Sequence, residues 1–134
     1  MDRYTFIAKL IHDPIEGGYT VEFPDLPGCI TEGDNLEESN RNAKEALSIH
    51  LFGMEEDQDE IPQPSDPEDI EVEKGELLMP VTVYMKNVRE DMRNKAVSKT
   101  VTLPRWLRDE AERQKVNFSG ILQRALKNEL GIEE

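Results

Sequence analysis

The chain has 134 residues and a mass of 15.4 kDa, room for one ordinary domain or two very small ones. Acidic residues outnumber basic ones 29 to 16, a net charge of −13, which taken alone argues against a nucleic-acid binder because phosphates repel an acidic surface. The average hides a division. Residues 1–79 hold 21 acidic and 5 basic residues, net −16, whereas residues 80–134 hold 8 and 11, net +3. Within the latter, Lys95–Lys127 has 8 basic and 3 acidic residues, net +5. Opposite charge in the two halves points to two jobs on one chain.

Cys29 is the one cysteine, so no internal disulfide forms, and His12 and His50 make no ligand-spaced cluster with it. No metal or other cofactor is expected. The apolar runs fall short of the ~18–20 residues that span a bilayer. Met1-Asp2-Arg3-Tyr4 lacks the basic-then-apolar pattern of a signal peptide. These features predict a soluble cytoplasmic protein without a membrane partner.

Tyr4–His12 alternates, with Tyr4, Phe6, Ala8 and Leu10 against Thr5, Ile7, Lys9 and Ile11; the second face is partly apolar, which predicts a central strand. Asp13–Gly18 is turn chemistry. Tyr19–Phe23 reads as a second strand, Pro24–Gly28 breaks it, and Cys29–Gly33 supplies a short third. Asp34, with Glu37 three residues on, is the expected N-cap of a helix that buries Leu36, Ala43, Leu47 and Leu51 and ends near Gly53. Glu55–Glu76, rich in carboxylates and proline, reads as an acidic connector crossing the sheet. Leu77–Met85 returns to strand composition, with Pro80 placing it at an edge. Asn87–Ala96 is polar and reads as a hinge.

The last segment is densely patterned. In Val97–Leu103, Val97, Val101 and Leu103 alternate with Ser98, Thr100 and Thr102. Pro104 stops the strand and suits a helix start. A helix follows to about Lys115, with Leu107, Ala111 and Trp106 as inward candidates; Asn117 caps a second, whose apolar face holds Phe118, Ile121, Leu122, Ala125, Leu126 and Leu130 before Gly131 ends it. A strand and two helices in roughly 35 residues fall below the ~40 that fold without disulfide, metal or partner. The simplest solution is a dimer in which two copies of Val97–Leu103 pair antiparallel over four helices.

Such a ribbon fits the DNA major groove, with Ser98, Thr100 and Thr102 outward and Lys95, Lys99 and Arg105 at the border. The free N–H groups at the start of the second helix, near Phe118 and Ser119, can grip a phosphate. In its order of strand, proline, helix and Asn-capped helix, Lys95–Leu130 resembles the ribbon-helix-helix family. The plainer alternative is a tail that only dimerises. A helix-turn-helix fits less well, because Thr100-Val101-Thr102 favours a strand.

The first half carries a second resemblance. Tyr19-Thr20-Val21-Glu22-Phe23-Pro24-Asp25-Leu26-Pro27-Gly28, then Thr31-Glu32-Gly33-Asp34-Asn35-Leu36-Glu37-Glu38, then Asn42-Ala43-Lys44-Glu45-Ala46-Leu47, resemble in order and spacing the HicB antitoxin family. That resemblance implies a partial ribonuclease-H-like fold and inhibition of a HicA-like toxin, a small basic ribonuclease, by direct binding. Ribonuclease-H catalysis would need carboxylates converging on metal ions, one from the middle of the first strand. Tyr4–Ile11 has none, so no enzyme activity is expected.

The expectation is thus an α+β protein. A HicB-like toxin-neutralising domain covers 1–86: a partial ribonuclease-H-like antiparallel sheet with one main helix. A hinge covers 87–96, and a ribbon-helix-helix domain covers 97–134. Expected DNA contacts are Ser98, Lys99, Thr100, Thr102, Arg105, Asn117, Phe118 and Ser119. Expected dimer contacts are Val97, Val101, Leu103, Leu107, Ile121, Leu122 and Ala125. Candidate toxin contacts are Asp25, Glu55, Glu56 and Asp57, with a solvated loop as the alternative for the acidic run. The expected partners are a HicA-like toxin, operator DNA and a second copy, with a tetramer as a further step. The competing function is a stand-alone ribbon-helix-helix regulator whose acidic domain binds a ligand or partner.

Overall fold

A computed structural model describes residues 2–132 and divides the chain into two units, Met1–Ala96 and Val97–Glu134. In the first unit β1 (Arg3–His12), β2 (Tyr19–Glu22), β3 (Ile30–Gly33) and β4 (Glu76–Tyr84) form an antiparallel sheet in the order β3-β2-β1-β4. β1 is central, as its two apolar faces predict. Phe6, Ala8 and Leu10 are buried on the core face, and Ile7 is buried on the other. Pro80 sits opposite Ile7 on the edge strand β4, where its missing N–H interrupts no further ladder.

The β1–β2 turn is built by Asp13, whose carboxylate accepts from the N–H groups of Ile15 (2.9 Å) and Glu16 (3.1 Å). Those two bonds hold its carboxyl below the usual range. The Pro24–Gly28 loop turns back on itself through Leu26 N–H to Phe23 C=O and Cys29 N–H to Leu26 C=O, each 3.0 Å, and seats Leu26 in the core.

The long helix α1 (Leu36–Glu56) covers one face of the sheet. Its cap is Asn35, not the expected Asp34: the Asn35 side-chain oxygen accepts from Glu38 N–H at 2.8 Å. The stripe therefore starts one turn later than expected. Ser39, Ala43, Leu47 and Leu51 are buried, while Leu36 is half exposed. A small residue is required at the first position because β3 and α1 nearly touch there. A Cβ on Gly33 would lie 2.5 Å from Ser39 N and Oγ. Gly53, the expected helix end, lies within the last turn of α1.

The connector is irregular apart from one short 3-10 turn, Pro67–Asp69. The expected hinge is a correction: 85–94 is helix α2 (Met85–Asn94), which follows β4 without a loop and belongs to the first unit. Met85 is fully buried, and its N–H bonds Asp2 C=O at 2.6 Å. Arg89 binds Glu55 on α1 through Nε (3.0 Å) and Nη2 (2.6 Å), and Asp2 through Nη1 (2.7 Å). The polar look of 87–94 is thus that of a helix attached by charge as well as packing.

In the second unit α3 (Arg105–Arg113) follows Pro104, and α4 (Phe118–Leu130) is capped by Asn117, whose side chain accepts from Gly120 N–H at 3.1 Å. Gly131 (φ +71°) closes α4 in the left-handed conformation. Among the described residues no strand pairs with 97–103 inside the chain.

Candidate partner-binding surfaces

The two units differ in how they use apolar side chains. Among the described residues every buried hydrophobic lies between Phe6 and Met85. From Val97 to Ile132 nothing is buried. Val97 is 85% exposed and Trp106 71%, and Val101, Leu103, Leu107 and Ile121 are all at least a third exposed. Leu122 is partly covered and Ala125 is open. An amphipathic helix owes most of its stability to covering its apolar face. Both helices of this unit leave theirs uncovered within one chain.

Ser98, Lys99, Thr100 and Thr102 are exposed in the segment 97–103, which is neither helix nor strand within the chain, and Arg105 is exposed at the start of α3. Asn117, Phe118 and Ser119 sit at the N-terminal end of α4, where the first N–H groups have no intrahelical acceptor.

In the acidic unit the four candidate toxin contacts separate into two kinds. Asp25 is taken up internally: its carboxylate accepts from Ser65 N–H and Ser65 Oγ, each at 2.7 Å, and ties the connector to the Pro24–Gly28 loop. Glu55 is held by Arg89, whose two hydrogen bonds keep its carboxyl below the ordinary range against the opposing effect of burial. Glu56 is exposed, and Asp57 is the exposed C-cap residue of α1. Sequence inspection missed Arg89 and Ser65, because neither lies near its partner in the chain.

Cys29 is buried, and desolvation pushes its thiol up to about 11, so it is an inert packing residue. Among the described residues no three His, Cys, Asp or Glu side chains are grouped to hold a metal ion. No helix among them is long and apolar enough to cross a membrane.

The chain thus joins an acidic sheet-and-helix unit with its own core to a small helical unit that has no buried side chain among its described residues. The chain belongs to the HicB-like antitoxins of bacterial toxin–antitoxin systems, whose family model matches residues 7–126. It is similar to a 14.9 kDa protein of the rep–hol intergenic region of Haemophilus phage HP1, 49% identical over 51 residues, covering 38% of each chain. It is also similar to Antitoxin HicB 1 of Photorhabdus laumondii, 39% identical over 67 residues, covering 46% of this chain and 43% of the relative. The matched part thus spans less than half the length of these curated relatives.

Among solved structures, the fold is similar to that of a toxin–antitoxin complex from Streptococcus pneumoniae. There the identity is 24% and the TM-score 0.61, covering 95% of this chain and 99% of that one. It is also similar to the Burkholderia pseudomallei antitoxin HicB, with 21% identity and a TM-score of 0.56, covering 92% and 96%.

Proposed function

We propose that this chain is an antitoxin with two working parts. The acidic unit, a partial ribonuclease-H-like domain without catalysis of its own, binds and blocks a HicA-like ribonuclease. The tail is a ribbon-helix-helix that dimerises through 97–103 and represses its own operon. Family membership supports the first part, as does charge: residues 1–79, at net −16, compete for a surface that evolved to hold RNA.

The observation that carries the second part is the coreless tail. Val97, Val101 and Leu103 alternate along the segment before α3, Leu107, Ile121, Leu122 and Ala125 lie on the two helices, and none of them is buried among the described residues. A second copy supplies the missing core and, in pairing, the ladder partner for that segment. Ser98, Thr100 and Thr102 then line the outer face of a two-stranded ribbon, flanked by Lys99 and Arg105, while Asn117, Phe118 and Ser119 present N–H groups to a phosphate. The ribbon makes the antitoxin at least a dimer, and adjacent half-sites would bring two dimers together.

The test is co-expression with the product of the neighbouring gene. A stable complex whose mass contains two antitoxin chains, and which shifts DNA from upstream of the gene pair, is the expected result. A monomeric chain that binds no upstream DNA would remove the repressor role. Failure to hold the neighbouring product would remove the antitoxin role. An isolated gene whose protein still shifts DNA would favour the stand-alone regulator.

A further inference from the structure

α1 carries an apolar residue that the core does not use. Ile49 lies outside the Ala43-Leu47-Leu51 stripe and is 48% exposed. Two grooves meet at it. One, of about 630 Å³, runs between the C-terminal half of α1 and the connector. Leu26, Pro27, Met54 and Pro62 line it, and Asp57, Asp59 and Glu60 edge it. The other, of about 320 Å³, lies between α1 and α2, with Val88 and Met92 beside Ile49 and with Glu45, Asp91 and one cation, Lys95, at its margin. The two share Ile49, and along their margins the carboxylates Asp57, Asp59, Glu60, Glu45 and Asp91 outnumber the single lysine, Lys95.

Two further features of this face act against the stability of the free unit. Gly53, one turn after Ile49, is helical in the last turn of α1, where glycine is a poor helix former. Nothing in the fold requires it, since a Cβ there would meet no atom within 4 Å. Gly53 lines the larger groove, and the space a side chain would take there is open. Glu56 and Asp57 stand at the negative end of the α1 dipole, and no basic residue occupies the last turn. Glu55 is answered by Arg89, whereas Asp57 faces the groove. An exposed isoleucine, a helical glycine without an internal reason and carboxylates on the wrong helix end coincide on one face.

We infer that this face, centred on Ile49, is where the acidic unit seats its basic protein partner. An apolar side chain of the partner enters the open space at Gly53, and its lysines and arginines reach Asp57, Asp59 and Glu60 on one side and Glu45 and Asp91 on the other. Charge selects the occupant: a nucleic acid is repelled here, and so is the same face of a second copy. The inference rests on the antitoxin function proposed above and says which surface performs it. It keeps Asp57 of the four candidate contacts and leaves Glu55 to its pairing with Arg89.

The experiment titrates the full-length chain with the small basic protein encoded beside its gene. Ile49→Glu and, separately, Gly53→Leu are each expected to weaken binding at least tenfold. Gly53→Leu is expected to raise the melting temperature while it does so, which a merely structural defect would not do. Both variants should bind upstream DNA as the parent does. Ile15→Glu, at a 91% exposed position in the β1–β2 turn, should bind the basic protein unchanged. If the parent chain fails to bind it, the antitoxin function fails first and the assignment of the face with it. If the parent binds and both groove variants bind equally well, the antitoxin function stands and this face is not the seat. Dissociation of a self-complex by Ile49→Glu with toxin binding intact would likewise overturn the inference, marking a contact between copies.

Discussion

The first unit and the tail answer the same problem, how to cover apolar side chains, in opposite ways. Residues 4–85 bury Phe6, Leu10, Val21, Leu26, Leu47, Leu51 and Val83 between one sheet and one helix, and need no other molecule to do so. Residues 97–132 have comparable apolar periodicity and bury none of it. The lesson is that patterning specifies which face is to be covered, whereas chain length decides whether the cover comes from the same chain. The first unit should behave as an independent folding unit, the tail as one whose stability depends on concentration.

The sharpest way to break that contrast is to damage each core in turn. Phe6→Ala removes a fully buried ring at the centre of the sheet. It should destabilise the first unit by about 3–5 kcal/mol. Urea unfolding should show the same loss at every protein concentration; a concentration-dependent loss would mean that the first unit also relies on a second copy. Val101→Asp places a charge on the face that the proposed dimer buries. It should abolish the dimer in sedimentation and remove operator binding, with the near-UV spectrum of the first unit unchanged. A variant that stays dimeric would take 97–103 out of the proposed interface.

A finer division lies within the tail. Thr100→Ala combined with Thr102→Ala changes the outward face of the segment and leaves the apolar side intact. Operator affinity should fall by about tenfold or more, equivalent to about 1.4 kcal/mol. Mass and toxin binding should not change. Undiminished specific binding would leave dimerisation as the tail's only task.

Much of this was legible from residues alone, for identifiable reasons. β1, the edge position of β4, the Asn117 cap and the Gly131 stop all rest on local signals: two-residue alternation, a proline, an Asx side chain and a glycine with positive φ. The start and end of α1 were not legible. Asp34 and Asn35 are both capping residues, and only the backbone tells them apart: Asn35 is extended (φ −148°) and its oxygen reaches Glu38 N–H. At the other end the left-handed residue is Gln58 (φ +59°) instead of a glycine, so Gly53 drew the boundary too early. The hinge at 87–96 failed because Arg89 meets Glu55 and Asp2 at separations of 34 and 87 residues, beyond the reach of any local pattern.

The α2 attachment gives a smaller effect with a definite sign. Arg89 keeps the Glu55 carboxyl below its ordinary value, chiefly through side-chain hydrogen bonds. A carboxylate with a depressed folded-state pKa contributes stability above its unfolded value of about 4.3, and loses it as pH falls through the lower folded value. Arg89→Ala should cost about 0.5–1 kcal/mol at neutral pH, kept small because solvent screens the partly exposed pair. The difference from the parent should shrink as pH falls below about 4, where Glu55 protonates in both. A difference that persists unchanged at low pH would assign the Arg89 effect to packing of its stem.

The smallest expected effect bears most directly on why the first unit, self-sufficient as it is, keeps features that weaken it. Gly53→Ala adds a methyl group where no atom lies within 4 Å and replaces the most flexible residue in the last turn of α1 with the best helix former. The free chain should gain about 0.5–1 kcal/mol, read as a higher urea midpoint with an unchanged slope. If the open space at Gly53 serves a partner, the same substitution should weaken toxin binding or leave it unimproved, so the stability gain does not carry over to the complex. A variant that is both more stable and more tightly bound would show that the glycine serves neither the fold nor the partner. The acidic unit would then differ from the tail in self-sufficiency alone, with no surface held open for another molecule at Gly53.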